Sequence, residues 1–295
     1  AYGLWARERS ESPLIVVGRD SRVTGQICED VVCATLQSVG CDVIRTGIVP
    51  TPTLAMAVMH HKATGGIVIS ASHNPGEWNA LKLLDSAGEF LDAEQGANVL
   101  RWMEKVERQD SGKPDAAPAQ EPVWRDYASI GSVRADEGAI ERHIQAVLDH
   151  PLIDRDLIAG HGFRVAVDAV NGAGSEAIPQ LLQALGATCL PLHCTPDGRF
   201  PHNPEPLPEH LHEIRAFVAQ TGADLGVVTD PDADRLALVD DKGRLWGEEY
   251  TQAAAFDFVL AKRPGDVATN LSSCRVVDDV SARYGVVCQR SAVGE

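Results

Sequence analysis

Short apolar runs alternate with amphipathic stretches along the whole chain. Leu14–Val17 reads as a buried strand leading into the polar Gly18–Arg22. From about Cys28 to Val39 the spacing is helical, and Gly40 supplies a C-terminal helix signal. Cys41–Arg45 is the next strand. Pro50 and Pro52 mark a loop before a helix over Thr53–Lys62, and Ile67–Ile69 is a third strand. Asp92, with Gln95 three residues on, has the form of a capping box for a helix reaching about Glu107. From Gln109 to Pro122 the composition turns to Ser, Gly, Pro, Ala and Asp. This reads as a surface excursion, with no fresh strand start after it.

A second rhythm opens with the strand Phe163–Asp168, the loop Ala169–Gly174 and a helix over Ser175–Ala184. The Pro-rich "TPDGRFPHNPEPLPEH" follows, then a helix over Glu209–Gln220. Strand Leu225–Val228 ends in "TDPDADR", strand Leu236–Val239 ends in the turn Asp240–Gly243, and Glu248–Leu260 is helical. A third rhythm has a strand at Val267–Leu271 and a helix at Val276–Tyr284. No element is assigned to Ser291–Glu295.

The pattern predicts an α/β protein: consecutive α/β domains with mixed, mainly parallel sheets sandwiched by helices. The boundaries fall at 1–138, 139–245 and 246–295. Three strand ends are polar: Gly18–Arg22, Ser70–Asn74 and Asp230–Arg235. Ligands gather beyond the carboxyl ends of strands in such sheets, so these ends are expected to face a shared cleft.

Composition narrows the partners. A length of 295 residues suits two or three domains. The net charge of −16 argues against nucleic acid and anionic membranes. No apolar run is long enough to span a bilayer and no secretory signal opens the chain. The seven Cys lack C-x-x-C or zinc spacing, so reduced thiols and a cytoplasmic setting are expected. The glycosylation match at Asn270–Ser272 is read as chance. A small anionic substrate stays open, given a local cluster of Arg and Lys.

"DPDADR" carries the sharpest chemistry. Asp230, Asp232 and Asp234 sit at alternate positions directly after a buried strand, and such carboxylates repel unless a cation joins them. Hard oxygen ligands suit Mg²⁺, Mn²⁺ or Ca²⁺, not zinc. An EF-hand loop fails, because Arg235 stands at its glycine position, Asp241 at its bidentate Glu, and a strand precedes it. The bland alternative is a solvated acidic turn. Arg235 beside the carboxylates favours phosphoryl chemistry. Ser72 lacks a G-x-S-x-G elbow, and its neighbour His73 is badly placed as a base. Ser72 near a metal could instead carry a phosphoryl group. Taken singly, Ser70, Ser72 and Asn74 read as turn residues, Arg19 and Arg22 as ion-paired, and Lys82 as solvated. Their coincidence shifts the weight.

Together these stretches resemble the α-D-phosphohexomutase superfamily of phosphoglucomutases, phosphomannomutases and phosphoglucosamine mutases. "SASHNP" (Ser70–Pro75) is similar to its phosphoserine loop and "DPDADR" (Asp230–Arg235) to its metal loop. "VVGRDSRVTG", "GIVPTPTLA", "NALKL", "DAVNGAG" and "PDGRFPHNPEP" match further stretches. The resemblance implies a mutase that interconverts hexose 1-phosphate and 6-phosphate through a phosphoserine at Ser72 and a bisphosphate intermediate. One Mg²⁺ would be held by Asp230, Asp232, Asp234 and the Ser72 phosphate. Lys82 would be a general acid/base or phosphate-orienting group, and Arg235 would steady the phosphoryl group. His73 and Asn74 would shape the loop, with Arg19, Arg22 and Asn74 binding substrate phosphate. It further implies a hexose 1,6-bisphosphate activator, a phosphosugar substrate, and a monomer or homodimer. Ala1–Pro13 does not match the family's opening catalytic-arginine segment, and the chain stops before the family's sugar loop and fourth domain. A truncated, non-catalytic metal- and phosphosugar-binding module is therefore the alternative, followed by a metal-dependent phosphatase and a plain Ca²⁺-binding protein.

Overall fold

The structure, a computed structural model, describes residues 1–110 and 123–293. Of the expected excursion Gln109–Pro122, only the first two residues fall inside the described part, as the end of a helix. The chain divides into two compact units: Ala1–His143 with Pro196–Arg199, and Ile144–Thr195 with Phe200–Glu295.

The first unit runs α1 (Tyr2–Arg7), β1 (Leu14–Arg19), α2 (Gly25–Ser38), β2 (Asp42–Ile48), α3 (Thr51–His60), β3 (Gly65–Ile69), β4 (Leu81–Leu84), α4 (Ala93–Asp110) and β5 (Val133–Ala135). α5 (Ala139–Leu148) then carries the chain past the division. The sheet order is β4-β3-β1-β2-β5, parallel except for β4 against β3. Strand alternation sends Ile15, Val17, Ile67 and Ile69 to one face, packed with α1, α2 and α4. Val16, Ile44 and Val68 go to the other face, packed with α3 and Ala139 of α5.

Local chemistry accounts for most element ends. Asp92 and Gln95 form the expected reciprocal cap: Gln95 N–H donates to Asp92 Oδ1 (2.7 Å) and Asp92 N–H to Gln95 Oε1 (3.0 Å). The Pro50–Pro52 segment is no loop. Pro50 is the N-cap of α3 and Pro52 lies in its first turn, where a missing N–H leaves nothing unpaired. β5 supplies the strand that was not expected after the excursion. α1 was not anticipated either. Trp5 is fully buried, Tyr2 stacks on it at 5.1 Å, and the Tyr2 hydroxyl donates to Leu84 O.

The second unit adds α6 (Arg155–His161), β6 (Arg164–Asp168), α7 (Gly174–Ala184), β7 (Thr188–His193), α8 (His212–Thr221), β8 (Leu225–Thr229), β9 (Leu236–Asp240), α9 (Glu248–Lys262), β10 (Val267–Asn270), α10 (Val276–Arg283) and β11 (Cys288–Ser291). Its main sheet has order β7-β6-β8-β9, with β9 antiparallel to β8. Val165 and Val167 pack with α7 on one face, and Ala166, Val228 and Val239 with α8 on the other. β10 and β11 form a parallel pair covered by α9 and α10.

The two main sheets share one topology. In each, the first strand sits between the second and the third, and an antiparallel fourth strand pairs with the third. The order reverses between first and third strands, a switch point beyond whose carboxyl ends ligands bind. In the first unit the loops there are Asp20–Arg22 and Ser70–Asn74. In the second they are Ala169–Ala173 and Asp230–Arg235. The polar strand ends noted in the sequence therefore occupy equivalent places in the two units.

Candidate active site

Ser72 stands in a loop shaped from below by β1. Asp20 and Arg22 form an ion pair (2.9 Å) whose side chains are fully buried. Asp20 Oδ1 accepts the Arg22 N–H, and Oδ2 accepts the Ser70 hydroxyl at 2.7 Å. Ser70 Oγ in turn accepts the Ser72 N–H at 2.9 Å. Arg22 Nε donates to Asp20; its two terminal nitrogens donate to the carbonyls of Ser72 (2.6 Å), Asn74 (2.7 Å), Pro75 (2.5 Å) and Trp78 (3.0 Å). A guanidinium has five N–H donors, and all five are committed. Arg22 was expected to bind substrate phosphate; in the structure its five donors go to Asp20 and to the loop carbonyls. Its donors hold the loop backbone, where the carbonyls of Ser72, Asn74, Pro75 and Trp78 converge on the guanidinium.

Within that frame Ser72 is half-buried and adopts φ +49°, a left-handed conformation uncommon outside glycine. Strain of this kind collects at functional loops held by their surroundings. His73 is half-buried beside it and Asn74 is exposed. Arg19, at the end of β1, is bound to Glu29 (3.1 Å), Gln26 (3.1 Å) and the Asp20 carbonyl (3.2 Å). Glu29 also takes Arg45 (3.1 Å). Lys82 lies on the antiparallel edge strand β4, paired in register with Val68, its Nζ 5.6 Å from the Phe90 ring centroid.

In the second unit Asp230, Asp232 and Asp234 each bring one carboxylate oxygen within 4.8 Å of the others. Asp230 and Asp232 are buried and Asp234 is exposed. Asp230 Oδ1 also accepts the N–H groups of Asp234 (3.2 Å) and Arg235 (3.1 Å), closing the loop on itself. Ala233 takes φ +53° at its tip. The neighbouring turn after β6 supports this loop: Ala173 N–H donates to Pro231 O at 2.7 Å. Gly172 is required there, since a Cβ would lie 2.6 Å from Pro231 O. Three convergent oxygens, two of them buried, fit a hard divalent cation, which would remove their mutual repulsion. The Arg235 residue is exposed.

Two residues that the sequence reading passed over hold the first-strand turns. They are Asp20 and its counterpart Asp168, whose Oδ1 accepts Val170 N–H at 2.9 Å. Burial works against ionisation of Asp168, but the adjoining imidazoles of His193 and His202 outweigh it and hold the carboxyl at about 2. In each unit an aspartate ends the first strand and binds the N–H two residues on. That i, i+2 relation was the available signal.

Residues 1–110 match the model of phosphoglucomutase/phosphomannomutase alpha/beta/alpha domain I, and residues 141–243 match that of domain II. The domain I match begins at residue 1, so α1 lies inside it. A phosphoglucomutase/phosphomannomutase of Thermococcus kodakarensis is 38% identical over 300 residues, covering 100% of this chain and 62% of the relative. A phosphoglucosamine mutase of Acidovorax ebreus is 34% identical over 299 residues, covering 100% and 63%. A solved structure from Thermus thermophilus, provisionally described as a phosphomannomutase, has a TM-score of 0.80 at 26% identity over 99% of this chain and 63% of that one. The chain thus spans a little over three fifths of the length of these relatives.

Proposed function

Because the chain belongs to the α-D-phosphohexomutase superfamily, we propose that its protein interconverts a hexose 1-phosphate and the corresponding 6-phosphate, the hexose being glucose, mannose or glucosamine. The observation that carries this reading is the Ser72 loop: a serine at a sheet switch point, in a left-handed turn, fixed by the Asp20–Arg22 pair. Phosphorylated Ser72 gives its phosphoryl group to the free sugar hydroxyl. The Ser72 O–P bond breaks, a sugar O–P bond forms, and the hydroxyl proton leaves to a base, for which Lys82 is the candidate. The resulting bisphosphate returns its other phosphoryl group to Ser72, and a hexose 1,6-bisphosphate loads a dephosphorylated enzyme.

Asp230, Asp232 and Asp234 would hold Mg²⁺, which when bound neutralises phosphoryl charge. Arg235 is the candidate for steadying the phosphoryl group, Arg19 and Asn74 for binding substrate phosphate, and His73 for shaping the loop. We read 1–138 as the phosphoserine domain, 139–245 as the metal domain and 246–295 as part of a sugar-binding domain, in a cytoplasmic monomer or homodimer. Among the described residues no helix is long and apolar enough to cross a membrane.

A mutase assay on the protein tests the reading. With Mg²⁺ and a trace of bisphosphate, ³¹P spectra should show each competent hexose 1-phosphate converted to its 6-phosphate. Ser72→Ala and Asp232→Asn should lose this conversion. Inorganic phosphate accumulating without any 6-phosphate would make the protein a phosphatase.

A further inference from the structure

A second cluster of titratable groups lies in the same unit as the acidic loop and differs from it in chemistry. Asp168, at the carboxyl end of β6, is 1% exposed. Its Oδ2 faces two imidazoles: His202 Nε2 at 3.0 Å and His193 Nδ1 at 3.1 Å. The histidines come from the end of β7 and from the Pro-rich segment after it, so the cluster ties three pieces of chain together.

The outer ring nitrogens decide what the inner ones can be. His202 Nδ1 lies 2.8 Å from the Asn203 carbonyl, which can only accept, so this nitrogen carries a hydrogen. His193 Nε2 lies 3.5 Å from Glu213 Oε2, again an acceptor. A neutral imidazole has one N–H. With that hydrogen turned outward, both inner nitrogens aim lone pairs at a buried carboxylate oxygen. Such an arrangement repels in a low-dielectric interior unless a cation sits at its focus. That cation is either a proton on each ring or one metal ion.

The geometry distinguishes the two. His193 Nδ1 is buried and finds no hydrogen-bond partner, although Asp168 Oδ2 is only 3.1 Å away. The 3.1 Å contact does not have hydrogen-bond geometry. A proton on that nitrogen is poorly used, whereas a ligand to a shared ion need not point at another ligand. Separations of 3.0 and 3.1 Å are close to the ~3.3 Å edge of a tetrahedral zinc site with bonds of ~2.0–2.1 Å. The outer contacts to Asn203 and Glu213 are those that orient metal-bound histidines. The unit 1 counterpart of Asp168 is Asp20, which is neutralised by the fixed charge of Arg22. Asp168 has no arginine in that place among its recorded partners.

We propose that Asp168 Oδ2, His193 Nδ1 and His202 Nε2 form a site for one transition-metal ion, Zn²⁺ by its nitrogen–oxygen ligand set. Imidazole and carboxylate select zinc-like ions, whereas the all-oxygen Asp230–Asp232–Asp234 set selects Mg²⁺-like ions. An ion here would pin the turn after β6. Through Ala173 N–H that turn carries Pro231 of the acidic loop, so the site would act on the acidic loop as a staple.

Metal-stripped protein in excess Mg²⁺ should be titrated with Zn²⁺ against a chromogenic chelator. One tightly held Zn²⁺ is expected in the native sequence and in Asp232→Asn. Affinity should fall at least ~10-fold in His193→Ala and in His202→Ala, given that even outer contacts to metal ligands matter by that factor. Zinc uptake unchanged by both histidine variants, or abolished by Asp232→Asn, overturns the proposal; so does no uptake. Folding of the variants is bypassed by histidine ¹⁵N spectra of the native sequence. Zinc should shift His193 Nδ1 and His202 Nε2 and leave the outer nitrogens protonated. Rings doubly protonated and indifferent to zinc would mean that the cluster is held by protons alone.

Discussion

At the scale of residues, Arg22 decides how Ser72 is presented. Its five N–H groups meet Asp20 and four loop carbonyls. Lysine at this position offers three donors from one point and cannot span that set. Arg22→Lys should therefore destabilise the protein by ~3 kcal/mol, about the cost of one or two unmade buried hydrogen bonds to a charged group. Urea unfolding measures this, and a change under ~0.5 kcal/mol, typical of an exposed surface site, would contradict the brace. The sequence made Ser72 and the three aspartates visible because their residue types and spacing state a chemistry. Asp20 and Arg22 were harder to read, since their partners, Ser70 and the 72–78 carbonyls, lie some fifty positions away. A cation near such a loop looks the same on paper whether it faces a ligand or the backbone.

At the scale of elements, legibility followed burial and local chemistry. β1, β3, β6 and β8 are central strands with continuous apolar runs, and each was anticipated. The unanticipated strands are edge or short ones. β7 carries Pro191, which a strand tolerates only at a sheet edge, and β7 is an edge. β5 is three exposed residues, Val133–Ala135, and β11 is "CQRS", with little apolar content to mark it. The capping box of α4 was legible because both of its hydrogen bonds are local. Asp92→Ala should cost ~1 kcal/mol of stability in thermal or chemical unfolding. No measurable loss would mean that α4 is held by the packing of Val99 and Trp102 alone. The shared sheet topology of the two units was not legible as sequence similarity. It surfaces only as a repeated order of strands, with a left-handed residue, Ser72 or Ala233, in each candidate site loop.

At the scale of the whole molecule, a net charge of −16 leaves stability at low pH dependent on carboxylates that are paired in the folded state. Asp136 is such a group. Burial alone would raise its pKa, but Arg142 and His61 outweigh burial and hold it at about 2, below the ordinary 3.8. A depressed carboxylate stabilises the fold above its unfolded pKa, and that contribution disappears as pH falls from about 4 through about 2. Asp136→Asn should lower stability at neutral pH and flatten the acid limb over that window. An acid limb as steep as the native one would exclude Asp136 as its source. The central claim is that Ser72 carries the phosphoryl group, and peptide mass mapping tests it most directly. The protein is mapped as purified and again after incubation with a hexose 1,6-bisphosphate and Mg²⁺. A phosphate on the Ser72 peptide, absent in Ser72→Ala and reduced in Asp232→Ala, is the predicted result. A Ser72 peptide that stays unmodified under every condition would contradict the account.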